Sequence, residues 1–196
     1  MGAIFDLAFL ENLLVSMIRM ATPLLLAGLG ELYSEKAGMV NIGLDGLMTI
    51  GAGVGFIVGY LTGSPVSGLA AGALAGILLN LIYAFSTISL RSGQTINGMA
   101  LNILAPALAT FLSRTFFGVK TTLMKGPTIG NLSIPGLSKL PFIGSILFSA
   151  HPMTWFALLL TILTAWFFRR TKPGLNYLAV GEYPRAAESM GINVAG

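Results

Sequence analysis

The chain has 196 residues, 55% of them hydrophobic and only 9% charged, with a mean hydropathy of +0.83; soluble domains carry roughly 25% charged residues, so a soluble globular domain is excluded. The net charge of +4 is scattered between apolar runs, without a basic stripe or interleaved aromatics, which excludes a nucleic-acid surface. There is no cysteine, hence no disulfide framework and no thiolate metal site; no Ser/His/Asp set or paired carboxylates stand out, and "FFGVKTT" (Phe116–Thr122) only echoes a P-loop, so no enzymatic activity and no cofactor are expected.

A helix needs about 20 apolar residues to cross a bilayer core. The first such run is Leu13 to Gly30, starting as early as Phe5 and interrupted by Arg19 and Pro23. Asp6 and Glu11 would hold the residues before it at the interface. No Lys or Arg and no small-residue cleavage site mark the N-terminus, so a cleaved signal peptide is not expected. "ELYSEKAG" (Glu31–Gly38) reads as a polar break. The second run is Met39 to Tyr60, followed by the turn "LTGSP"; the third, Val66 to Leu90, carries no charge. "RSGQ" separates it from the fourth, Thr95 to Gly118. A loop over 119–151, punctuated by Gly, Pro, Ser and Lys, leads to the fifth, Met153 to Phe168, closed by "RRTK". Trp155 and Trp166 near its two ends fit interfacial anchoring.

The pattern predicts an all-α fold: a polytopic transmembrane helical bundle of about five crossings in the cell (inner or plasma) membrane, surrounded by lipid. Residues 1–170 would form the transmembrane domain, with 119–151 as an external loop, and 171–196 a cytoplasmic segment. The positive-inside bias puts Lys36, Arg91, Arg169, Arg170, Lys172 and Arg185 with a cytoplasmic C-terminal tail. Lys120, Lys125 and Lys139 fall on the other side, with Arg114 near that boundary.

Gly51, Gly55 and Gly59 recur every fourth residue, as do Gly68, Gly72 and Gly76. Small residues four apart let membrane helices pack closely, which is the favoured reading over a gate or pore wall. Ionisable groups in a membrane point to function by default. Asp45 is the only acid and Arg19 the only base well inside a run; a mutual ion pair, a shallow position and a functional role all fit. Gln94 and Asn97, three apart, share a helix face, while Asn102 lies roughly 140° round from Asn97. Together with Asn41, these residues (Asn41, Asp45, Gln94, Asn97, Asn102) are the candidate solute path, amides offering both donor and acceptor. The alternative is hydrogen bonding between helices. His151, alone and without nearby Cys or His in the sequence, is a poor metal ligand.

The most polar helix-forming stretch is "GEYPRAAESMGIN" (Gly181–Asn193). Pro184 suits the first helical position, Glu182 the N-terminal end of the dipole, and Gly191 the stop. So short a helix is not stable alone and must dock on something.

This stretch resembles the cytoplasmic coupling loop of ABC-importer permeases of the ribose/branched-chain-amino-acid type, closest to those for nucleosides and simple sugars. "ATPLLLAGLGELYSEKAGMVNIGLDGLMTIGA", "QTINGMALNIL" and "IPGLSKLPFIG" are similar to further segments of that family. Tyr183 departs from the pattern, which often has Asn there. Family permeases also have about twice as many spans, so the resemblance is to their N-terminal part. It implies that Gly181, Glu182, Pro184, Arg185, Ala186, Ala187 and Gly191 form a coupling contact with a separate P-loop ATPase subunit. It also implies a second permease chain, as homo- or heterodimer, and an extracytoplasmic solute-binding protein, with nucleosides or simple sugars as solute. The rival readings are an ion-coupled secondary transporter using Asp45 and Arg19, for which no inverted repeat is detectable, and a non-transport scaffold assembled through its glycine faces.

Overall fold

The computed structural model describes residues 7–119, 124–130 and 151–194. Asp6, Lys120, Lys139, most of the 119–151 loop and the "IPGLSKLPFIG" segment lie outside the described residues. The described residues are 81% helical and contain no strand. Seven α-helices follow in order: α1 (Leu7–Lys36), α2 (Leu44–Thr62), α3 (Pro65–Ala84), α4 (Gln94–Phe117), α5 (Pro152–Arg170), α6 (Lys172–Glu182) and α7 (Pro184–Ser189). A π-turn, Phe85–Ser89, extends α3. The first five are long and apolar enough to cross a membrane, and many of their Leu, Ile and Phe side chains are exposed. Lipid can cover what water would not. The chain is thus a multi-pass membrane protein with the predicted fold class.

It divides into two compact units, Met39–Thr128 on the one hand and Met1–Gly38 with Ile129–Gly196 on the other.

In the Met39–Thr128 unit, α2 and α3 form an antiparallel hairpin closed by backbone contact. A Cβ on Gly72 would lie 2.5 Å from the Gly51 carbonyl oxygen, and one on Gly68 2.6 Å from that of Gly55. Gly59 lies against Gly68 in the same seam, but Gly76 faces open space. The glycine repeat is helix packing over five of its six positions. Helix α4 runs parallel to α2, as the pairs Gly46 with Asn102 and Gly53 with Ala109 show. Ile50, Leu79, Tyr83, Leu101, Ala105 and Ala109 form the core.

In the other unit, α1 and α5 are parallel: Thr22 pairs with Thr154 at 2.9 Å and, eleven residues on, Tyr33 with Thr164 at 3.3 Å. Thr22 already donates to the Ile18 carbonyl, so Thr154 donates to Thr22. The expected polar break is not one. Helix α1 continues through "ELYSEK" to Lys36, because Glu, Leu and Lys are good helix formers, and it ends only at Gly38, whose φ is +83°. Arg19 stands seventeen residues, about 25 Å of helix, before Lys36, within the apolar span Phe9–Lys36, and it is exposed. Helix α6, unforeseen in the sequence, follows α5 after Thr171, whose hydroxyl caps it by accepting the Gly174 N–H at 3.1 Å.

Candidate functional site

Two arrangements gather the polar residues. The first belongs to the Met39–Thr128 unit, where residues 39–43 precede α2 without helical structure. A backbone that leaves the helix must find other partners for its polar groups, and the amides supply them. Gln94 accepts the Val40 N–H at 2.8 Å on Oε1, and its Nε2 contacts Met39 Sδ at 3.2 Å. Asn102 accepts the Gly46 N–H at 2.8 Å on Oδ1 and donates through Nδ2 to the Ile42 carbonyl at 2.8 Å. Asn41 accepts the Gly43 N–H at 2.9 Å and donates to Asn80 Oδ1 at 3.2 Å. Tyr83 donates to the Val40 carbonyl at 2.8 Å.

The residue at the N-cap position of α2 is Gly43, which has no side chain to cap with. One of the orphan N–H groups of that first turn is met instead by Asn102, from a neighbouring helix. Between Gln94 and Asn102 lies Gly98, where a Cβ would be 2.9 Å from the Gly43 nitrogen. Gln94, Gly98 and Asn102 thus form an i, i+4, i+8 row along α4 that grips the segment before α2. Gln94 and Asn97 stand three apart in the first turn of α4 but take different partners: Asn97 donates to Ser86, at 2.9 Å, and to Ser92. The row was readable from the four-residue spacing of two amides about a glycine. Asp45 lies in the first turn of α2 with its side chain exposed, where a carboxylate favours the helix dipole. Asp45 and Arg19 belong to different units. Among the described residues no group of three or more His, Asp or Glu could hold a metal ion.

The second arrangement is the C-terminal helix pair. Helix α7 has Pro184 in its first turn and stops at Gly191, whose φ is +80°, as the sequence predicts. Tyr183, at the N-cap position, makes no side-chain cap bond. Glu182 is the last residue of α6 rather than the start of α7, so it meets the negative end of one dipole before the positive end of the next. Glu182, Pro184, Arg185, Ala186 and Gly191 are exposed, whereas Ala187 is buried, only 4% exposed. Gly181 packs within its own unit, the Lys36 carbonyl oxygen occupying the place a Cβ would take. Of the seven residues expected at the coupling contact, five face outward and two hold the helix pair to the chain.

Helices α5 and α6 both meet α1 through aromatic contact: the Tyr33 ring lies 5.0 Å from Phe168 of α5 and 6.3 Å from Tyr177 of α6, edge-on to the latter. The Tyr177 hydroxyl donates to the Tyr33 carbonyl at 2.8 Å. Burial first, and the neighbouring Tyr33 second, push the Tyr177 phenol above its ordinary value. Because the folded value lies above the unfolded one, this contact is fully present below the unfolded value of about 10 and weakens only as pH rises through the folded value.

Residues 13–196 match the protein family described as the permease component of branched-chain amino acid transport systems. Over 192 residues the chain is 34% identical to the nucleoside ABC transporter permease protein NupC of Lactococcus lactis subsp. cremoris, covering 94% of this chain and 60% of that protein. It is 38% identical over 181 residues to the guanosine ABC transporter permease protein NupQ of Bacillus subtilis, covering 89% and 57%. It is also 38% identical over 191 residues to TsgC13 of Haloferax volcanii, provisionally named a glucose ABC transporter permease, covering 96% and 57%. The chain therefore spans a little over half the length of these relatives. No solved structure matches it.

Proposed function

We infer, because the chain belongs to the permease-component family of branched-chain amino acid transport systems, that it supplies membrane-spanning helices of an ATP-driven importer. ATP hydrolysis then takes place on a separate P-loop ATPase, against which α7 docks. The observation that carries this reading is the exposed face of α7. A six-residue helix cannot persist on its own propensity; Ala187 holds one side in, and Pro184, Arg185 and Ala186 present the other outward.

The tail lies in the cytoplasm, since Arg169, Arg170, Lys172 and Arg185 cluster just after the last span. A second permease chain completes the solute path, and an extracytoplasmic binding protein delivers the solute. Nucleosides are the preferred solute class, on the names of two relatives, with simple sugars next on the name of the third. Gln94, Asn41, Asn102 and Asn97 use their amides on the chain itself, so Asp45, with an exposed carboxylate, is the path candidate we retain.

The test is partner capture. The tagged chain is solubilised gently from its native membrane beside an Arg185→Glu, Ala186→Glu variant. A P-loop ATPase is expected with the unaltered chain and at least tenfold less of it with the variant. Two acidic side chains on a desolvated docking face cost about 2 kcal/mol or more. Equal capture by both would overturn the assignment of α7.

A further inference from the structure

Helix α6 is too short to stand alone, yet it is fixed at three points along its length. At its start, Thr171 donates to the Phe167 carbonyl at 2.7 Å while capping Gly174, and the absence of a side chain on Gly174 lets its backbone lie against that same carbonyl. At its middle, the Tyr177 hydroxyl bonds the Tyr33 carbonyl, which also receives the Ala37 N–H at 3.1 Å. A carbonyl has two lone pairs, so Tyr177 takes the second one in the last turn of α1. At its end, Gly181 seats on the Lys36 carbonyl, and a Cβ on Gly38 would be 3.3 Å from the Gly181 carbonyl oxygen.

The connection from α6 to α7 is a single non-helical residue. Tyr183 closes α6 by donating its N–H to Ala179 at 3.0 Å and opens α7 by accepting the Ala187 N–H at 3.0 Å. No slack separates the two helices. A displacement of α7 must therefore move α6, and α6 is keyed by backbone contact and one hydrogen bond to the last turn of α1.

We propose that α6 is a rigid link that carries displacement of α7 to the charged end of α1, with Tyr177 and Gly181 as its positioning residues. This rests on the reading that α7 docks on an ATPase. The contacts named here on α1 fall on the Tyr33 and Lys36 carbonyls and the Tyr33 ring, none of them a charged group, so the link transmits position rather than charge.

The test uses the complex captured from the membrane with the tagged chain, compared with and without a non-hydrolysable ATP analogue. Amide hydrogen exchange is followed at residues 33–38. A nucleotide-dependent change in exchange is expected there in the unaltered chain. In Tyr177→Phe it is expected to shrink about fivefold, the worth of one hydrogen bond, with the ATPase still bound. Gly181→Val should abolish it. If Gly181→Val does not accumulate, Tyr177→Phe, which leaves every backbone contact in place, carries the test. A merely structural role would alter exchange equally with and without nucleotide, and that result overturns the proposal. So does an unchanged nucleotide response in Tyr177→Phe, or no response in the unaltered chain while the ATPase is bound. Failure of the unaltered chain to retain any ATPase would instead strike at the docking of α7 itself.

Discussion

Gly72→Val is expected to separate α2 from α3, while Gly76→Val, one turn further along the same helix, is expected to be nearly silent. At Gly72 the nearest atoms to a new Cβ are backbone: the Gly51 oxygen at 2.5 Å, the Gly51 carbonyl carbon at 3.4 Å and the Gly55 Cα at 3.4 Å. None can rotate aside as a side chain would. The helices must move apart, and their separation sacrifices the van der Waals packing that drives association where lipid is as apolar as Leu. Overpacking costs up to about 3 kcal/mol, and this seam is at the upper end. At Gly76 nothing lies within 4 Å, so only the small helix-propensity difference between Gly and Val remains. Thermal unfolding of the purified chain in detergent checks the pair. A large fall for Gly72→Val beside a shift near zero for Gly76→Val is the expected result; equal falls would mean that glycine flexibility, not close approach, matters here.

Asn102→Leu is expected to be the costliest single change among the polar residues. It strips partners from the Gly46 N–H and the Ile42 carbonyl at once. Leaving one buried backbone group unpaired costs about 1–3 kcal/mol, whereas side-chain bonds between membrane helices average about 0.6 kcal/mol because the unfolded chain finds substitutes. The first figure governs here. Gly43 offers no side chain to take over the capping of Gly46, so a loss of about 2–3 kcal/mol is expected. Asn102→Asp keeps an acceptor for Gly46 but sets a second acceptor oxygen against the Ile42 carbonyl, so only part of that loss is expected to be recovered. Gln94→Leu frees the single Val40 N–H and should cost less than Asn102→Leu. The same detergent unfolding series reads all three. A neutral Asn102→Leu would show that the segment before α2 is held by packing alone.

The five apolar runs were legible because lipid imposes a length and a composition on a helix regardless of its neighbours. Their boundaries were less so. Glu31, Glu35 and Lys36 look like a break by charge, yet an α-helix tolerates them at a membrane boundary and gives no reason to stop before Gly38. Helix α6 was hidden because "KPGLNYLAVGE" has a Pro and two glycines. In the structure Pro173 sits in the first turn, where it is harmless, and the glycines are contact points rather than breakers. That Gln94 and Asn102 act together was missed because a helical wheel compares angles on one helix, whereas these two are joined by the backbone of the segment before α2. Pro184 and Gly191 bounded α7 correctly since their effects are local. Which side of α7 faces inward is a tertiary fact, and Ala187 carries no mark of it in the sequence. A charge placed at Ala187 would therefore confound unfolding with loss of docking, and the neighbouring Ala186 is the better probe.

The absence of native cysteine makes the most direct test of α7 docking straightforward. Ala186→Cys and, separately, Ala187→Cys each give the chain a single thiol. Both are treated with a short thiol-to-amine cross-linker in the native membrane, and the products are identified by mass spectrometry. Docking of α7 predicts a cross-link from position 186 to a P-loop ATPase and little from the buried position 187. A cross-link from 187 but not 186, or none to any ATPase from 186 when the chain is in place in the membrane, would contradict it.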